Sequence, residues 1–318
     1  MGMTFDVRCQ SRAALVAGLA LAGGGCGGGS PSSPSTPAPT PASGWPAGTV
    51  VELVNGETGA ALSAPLLVAG TPVPAGTPLV AGVAAGATVD VVLPGFLSRQ
   101  TIVRTGETRL VLWPDTAAFP GEYTRALVYT SASATDAGAA AGLRRLPTRV
   151  RTVVVQPSAG IQADAEAMDA HRGAVDSLNS ATAALGVRYA LEGTGDLTVP
   201  TRVDPGYESC GELTRALATI WTSGAGEVTR AEITFCSEAT ARSRSTAAHE
   251  LGHTFGLRHS TDPRDMMYGT YRASRSPTPL PRELLIMSLM RARRAGTVWP
   301  DNDRDSTAAA VVRFEVME

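Results

Sequence analysis

The sequence predicts an α+β chain, a small β-sandwich-like module followed by a larger domain in which strands and helices alternate around a histidine-bearing helix. Three observations carry this. Residues 49–115 are short β-rich runs cut by glycine and proline, residues 151–193 read strand, helix, strand, and three of the four histidines fall within residues 249–259. At 318 residues the chain has room for about two domains of ~150 residues.

In chain order, Arg8 and Arg12 precede an apolar run ending near Ala22, with glycines and Cys26 behind it, which is the order of a secretory signal peptide over residues 1–25. That run is too short to span a bilayer as a stable helix. Two processing routes are open. In one, Cys26 is the first mature residue and carries lipid, as in bacterial lipoproteins; in the other, cleavage after Ala22 releases a soluble protein. Cysteine pairing favours the first: Cys9 leaves with the signal, and lipid on Cys26 leaves Cys210 and Cys236 to pair in an oxidising compartment. Such a bridge, closing a loop of 25 residues, contributes roughly 3 kcal/mol. Residues 26–48, rich in Gly, Ser and Pro, have almost nothing to bury and read as a tether.

The module over 49–115 contains TVVELVN, TVDVVLPG, FLSRQTIVR and TRLVLWP. Val89, Val91 and Leu93 alternate across Asp90 and Val92, as in a strand with one face inward. The module resembles a carboxypeptidase-regulatory-like β-sandwich, and an unassigned β spacer is the competing reading.

Residues 120–318 read as the second domain. Strands are expected at 151–156 and 186–193 around a long helix at 163–185, then a helix at 212–221, a strand at 228–236 and a helix through STAAHELGHTF. A last helix over 281–296 starts with Pro281 in its first turn and stops at Gly296.

Composition excludes several chemistries. All 27 basic residues are arginine, so mechanisms needing a Schiff-base or P-loop lysine are out. With 43% hydrophobic and 18% charged residues and a net charge of −2, neither bulk disorder nor general electrostatic affinity for nucleic acid is expected.

The chemistry sits in HELGHTFGLRH. On a helix His249 and His253 are one turn apart on the same face, so two imidazoles can meet one ion. Gly256 permits the turn that brings His259 from another direction as third ligand. A fourth position then stays open, the mark of a catalytic rather than a structural zinc. Glu250 adjoins the first ligand and can act as general base on a water.

This stretch is the H-E-x-x-H-x-x-G-x-x-H signature, and DMMYGTY follows it, so the chain resembles the metzincin metallopeptidases with matrixin-like spacing. The resemblance covers roughly residues 150–296. It implies a mixed twisted sheet with an active-site helix, Zn2+ held by His249, His253 and His259, and hydrolysis of peptide bonds in peptide or protein substrates. It also implies a methionine floor beneath the imidazoles, for which Met267 is preferred to Met266, and it makes Tyr268 a candidate transition-state contact. By the same resemblance residues 231–235 form the edge strand that docks an extended peptide. A surface-anchored binding lipoprotein with a vestigial metal site is the alternative function. The expected location is a bacterial surface, with membrane contact only through Cys26, and the alternative is a secreted soluble protein.

Other features read as ordinary. His171 is expected to be a partly exposed helix side chain, and Asp301, Asp303 and Asp305 a solvated acidic turn rather than a calcium loop. The 49–115 module has no cysteine or histidine with which to cap a metal. Only a carboxylate there or shortly after it, such as Asp90, Asp115 or Asp136, could do so, and no spacing marks one out, so the module is not expected to be an inhibitory prosegment.

Overall fold

The computed structural model describes residues 44–129, 142–211, 214–272, 274–303 and 312–317. The signal segment, Cys9, Cys26, most of the tether, Asp136 and Asp305 lie outside them. No helix among the described residues is long and apolar enough to cross a membrane.

Residues 52–112 hold β1 (Glu52–Asn55), β2 (Ala61–Leu62), β3 (Pro65–Val68), β4 (Thr71–Pro74), β5 (Thr88–Val91), β6 (Arg99–Ile102) and β7 (Arg109–Leu112). They form two sheets, β2-β1-β7 and β4-β3-β5-β6, which share a core of Trp45, Leu53, Leu66, Val89 and Leu112 among others. The period-2 pattern in β5 has its expected consequence: Val89 and Val91 are buried, while Thr88 faces solvent. β4 lies at a sheet edge, where Pro72 and Pro74 are tolerated.

The chain continues through α1 (Gly121–Thr124), which runs into a π turn, Arg125–Tyr129. There follow β8 (Thr152–Pro157), α2 (Ala159–Ala163), α3 (Ala165–Thr182), β9 (Arg188–Ala190), β10 (Leu197–Val203), β11 (Ala216–Thr222) and β12 (Val228–Phe235). The last elements are α4 (Glu238–Ala241), α5 (Arg244–Thr254), α6 (Pro281–Arg291) and β13 (Val312–Met317). Six strands make one mixed sheet in the order β13-β11-β12-β10-β8-β9. β9, β8, β10 and β12 are parallel, β11 is antiparallel to β12, and β13 is antiparallel to β11. α3 begins at Asp164, whose carboxylate accepts the Glu166 and Ala167 N–H groups, and it packs against α5.

Four expectations are corrected by the fold. Residues 216–222 are strand, not part of a helix: ALATIWT is an apolar run buried from Ala216 to Ile220, and such a run suits a central strand as well as a helix until its neighbours are known. Residues 231–235 are not at an edge, because β12 is paired on one side with β10 and on the other with β11. His171 is buried at 1% exposure, its Nδ1 2.8 Å from the Ala167 carbonyl, its Nε2 3.1 Å from Thr201 Oγ1 and its ring edge-on to Phe235, so it pins α3 to the sheet. Asp301 and Asp303 are buried too. Asp301 is paired with Arg99 and Arg293, and Asp303 with Arg99 and Arg104. In addition, α6 ends at Arg291, short of Gly296, which turns the chain at φ +86°.

Candidate metal centre

α5 starts at Ser243, whose side-chain oxygen accepts the Thr246 N–H at 3.3 Å. From Thr246 to Thr254 every residue is buried, so this helix presents no wet face, and His249 and His253 project into the interior. Their Nε2 atoms are 3.1 Å apart. At Gly256 the backbone takes φ +108°, and a Cβ there would overlap the Arg144 backbone, so no larger residue fits. That turn returns the chain to place His259 beside the other two, with ring centroids 5.2 Å and 5.1 Å from His249 and His253. The three offer ring nitrogens all within 4.8 Å of one another and could hold a metal ion.

Hydrogen bonds set the tautomers. His249 Nδ1–H donates to the Met266 carbonyl and His253 Nδ1–H to the Leu257 carbonyl, each at 2.8 Å. Both Nε2 lone pairs are therefore free to point at the common centre. His259 Nε2 is buried with no hydrogen-bond partner. A tetrahedral ion with bonds of ~2.0–2.1 Å needs nitrogens ~3.3 Å apart, close to the His249–His253 spacing, so the donor set fits zinc. Burial holds all three imidazoles below the ordinary histidine pKa. His259 is lowered to about 4, with the Arg275 and Arg258 charges adding to burial, and His249 and His253 are lowered well below the usual value, first by burial and then by neighbouring imidazoles. They are thus neutral and ready to bind metal at neutral pH. Glu250, the next residue after His249, is wholly buried.

Beneath the helix lie Met266 and Met267, both at 0% exposure. A Cβ on Gly252 would overlap Met267 Sδ, and one on Gly269 would stand 2.7 Å from His259 Nδ1, so the methionine turn closes on α5 from below and on His259 from the side. The two methionines divide the work: Met267 supplies the sulfur under Gly252, and Met266 the carbonyl that orients His249. Tyr268 leaves the turn half-buried, with the Arg272 guanidinium 5.7 Å from its ring centroid.

Several residues of this assembly carry no local sequence signal. Glu283 of α6 accepts the Met267 N–H at 2.9 Å and the Met266 N–H at 3.3 Å, and burial pushes its carboxyl up to about 7. Asp265 accepts from Ser260 Oγ, from Tyr123 OH at 2.9 Å and from Arg282 Nε at 2.8 Å. Tyr123 is 142 residues away in sequence, and no spacing rule could have found it. Gly269, in contrast, was visible in DMMYGTY.

The remaining expectations separate cleanly. Cys210 and Cys236 form a disulfide that ties the approach to β11 to the end of β12. Asp115 accepts the Gly121 N–H and Asp90 stands opposite Gln100 in the small sheet, so neither joins the histidines. The histidine triad is the one potential metal-binding group of its kind among the described residues.

Residues 181–283 match the family model of the matrixins. A solved structure, metalloproteinase-II from Bacteroides fragilis, is similar at 15% identity over 64% of this chain and 75% of that chain, with a TM-score of 0.29. No curated protein matches the chain. The segment that holds His249, Glu250, His253, His259 and Met267 is therefore similar to the matrixins, a family of metallopeptidases that depend on zinc in general.

Proposed function

We propose that the chain is a zinc-dependent endopeptidase of metzincin type, exported and held at a bacterial surface by lipid on Cys26. The observation that carries this reading is the convergence of three neutral imidazoles, buried His249 and His253 with Nε2 locked inward and half-buried His259, beside a buried glutamate. His249, His253 and His259 would hold the ion, which when bound supplies Lewis acidity to a substrate carbonyl and to a water. Glu250 takes the proton of the attacking water and returns it to the leaving amine. The methionine turn holds the ligand set in place and keeps water from beneath it. A tether of some 22 residues gives an r.m.s. reach of roughly 25 Å, enough to act on neighbouring surface proteins.

The test compares zinc content and cleavage of a mixed peptide pool. Glu250→Ala should keep one zinc per chain and lose about 10²–10⁴-fold in turnover. His249→Ala, His253→Ala and His259→Ala should each lose the metal. Normal turnover by Glu250→Ala, or full zinc in all three histidine variants, sinks the proposal. Cys26→Ser should release the protein from membranes, and unchanged fractionation with no acyl mass on the mature chain points to cleavage after Ala22.

A further inference from the structure

The inner edge of β11 is taken by β12 along its length. Its outer edge is a row of backbone N–H and C=O groups in a strand that packs against the helix carrying His249 and His253. α5 packs across β11 and β12, and the loop leaving the methionine turn reaches the start of β11, where the Arg215 guanidinium lies 3.8 Å from the Tyr271 ring centroid. A peptide presented to the histidines must be extended, and an extended backbone is held most simply by completing a ladder at a sheet edge. In this chain that ladder is already complete. β13 runs antiparallel along all of β11 but its first residue, from Leu217 opposite Met317 to Thr222 opposite Val312. β13 itself is outermost and is paired on that one side only among the described residues. Its sequence alternates Val312, Phe314 and Val316 with Arg313 and Glu315, a strand pattern with no glycine or proline. Eight residues, 304–311, connect it to Asp303, which is anchored by buried pairing with Arg99 and with Arg104.

We propose that β13 is an intramolecular occupant of the peptide-docking edge of β11, so that the chain's own C-terminal strand must leave before an extended peptide can lie beside the histidines. The regulatory meaning rests on the metallopeptidase reading, whereas occupancy of the edge can be measured without catalysis.

The experiment uses Glu250→Ala chains loaded with zinc, one of full length and one ending at Asp303, and a fluorescein-labelled octapeptide of sequence VVRFEVME, residues 311–318. The octapeptide should bind the shortened chain, slow amide exchange in β11, and bind the full chain about ten-fold more weakly. That is the shift expected when a covalent connection of eight residues supplies an effective concentration of ~1 mM against a Kd of ~0.1 mM. Unfolded casein should displace it. A full-length chain carrying Arg313→Pro and Phe314→Pro should behave like the shortened one: successive amides face opposite edges, so one of the two prolines always removes a ladder donor. This variant guards against misfolding on truncation. With Glu250 restored, opening the edge should lower KM for casein about ten-fold and leave kcat unchanged. Equal affinity of full and opened chains for the octapeptide, or no binding to either, overturns the proposal. Octapeptide binding as expected without casein cleavage by any Glu250 chain would leave the strand in its assigned place and sink the peptidase reading instead.

Discussion

The carbonyl oxygen of Met266 accepts the Nδ1–H of His249 at 2.8 Å, so the turn beneath the helix sets the tautomer of the first proposed ligand. That turn is itself held by α6, since Glu283 accepts the amides of Met266 and Met267 and also that of Leu280. A carboxylate far outside the histidine motif thereby governs, through the Met266 backbone, where the His249 ring points.

Glu283→Ala leaves three amides without their acceptor and should cost about 3 kcal/mol of stability, with zinc affinity falling about 10-fold to 100-fold. Glu283→Gln keeps one carbonyl acceptor and should recover part of both. A chelator competition titration beside urea denaturation reads the two effects, and unchanged zinc affinity in Glu283→Ala contradicts this coupling.

Gly256→Ala should be severe. The residue sits at φ +108° and its new Cβ would meet the Arg144 backbone, which has no flexible end to move aside. A loss of about 1–3 kcal/mol or more is expected, together with displacement of His259 and reduced zinc occupancy. Thermal melting and metal analysis would check it, and a variant with the parent's melting point and full zinc would show that the turn tolerates a side chain.

The small sheets are bound to the larger core by apolar contact through Leu97 and Trp113 and by buried charge. Asp301→Ala leaves Arg293 buried without its carboxylate and Arg99 with Asp303 alone, and should cost about 3–5 kcal/mol, with little relief from added salt. A chain beginning near Pro120 loses Arg99 and Arg104 altogether and should fail to fold rather than gain activity. A stable, more active shortened chain would mark the module as an inhibitor.

The metal-free protein should weaken in acid. His249, His253 and His259, and also His171, are held below the ordinary value by burial, so between pH 6.5 and about 4 the unfolded chain binds more protons than the folded one. Stability is then fully present above pH 6.5 and lost as pH falls through that window, by up to ~1.4 kcal/mol per pH unit for each histidine. Urea midpoints at pH 7, 5.5 and 4.5 should decline in that order, and a flat series would mean that the imidazoles are already hydrated.

Local spacing alone determined the grouping of His249, His253 and His259, because one helical turn and one glycine turn are short-range geometry that the chain cannot avoid. The Cys210–Cys236 pair and the strands around Val89 and Val153 were legible for similar reasons: a pairing by elimination, and a pattern of period 2 or a compact apolar run. Residues 216–222 were not, since an apolar run buried on both faces has no period to read, and only pairing with β12 and β13 made it a strand. The same pairing moved residues 231–235 from the edge to the interior. Burial of His171, Asp301 and Asp303 was likewise decided by tertiary structure, because their partners Thr201, Arg293 and Arg99 lie from 8 to 204 residues away and a polar residue looks solvated until a partner covers it.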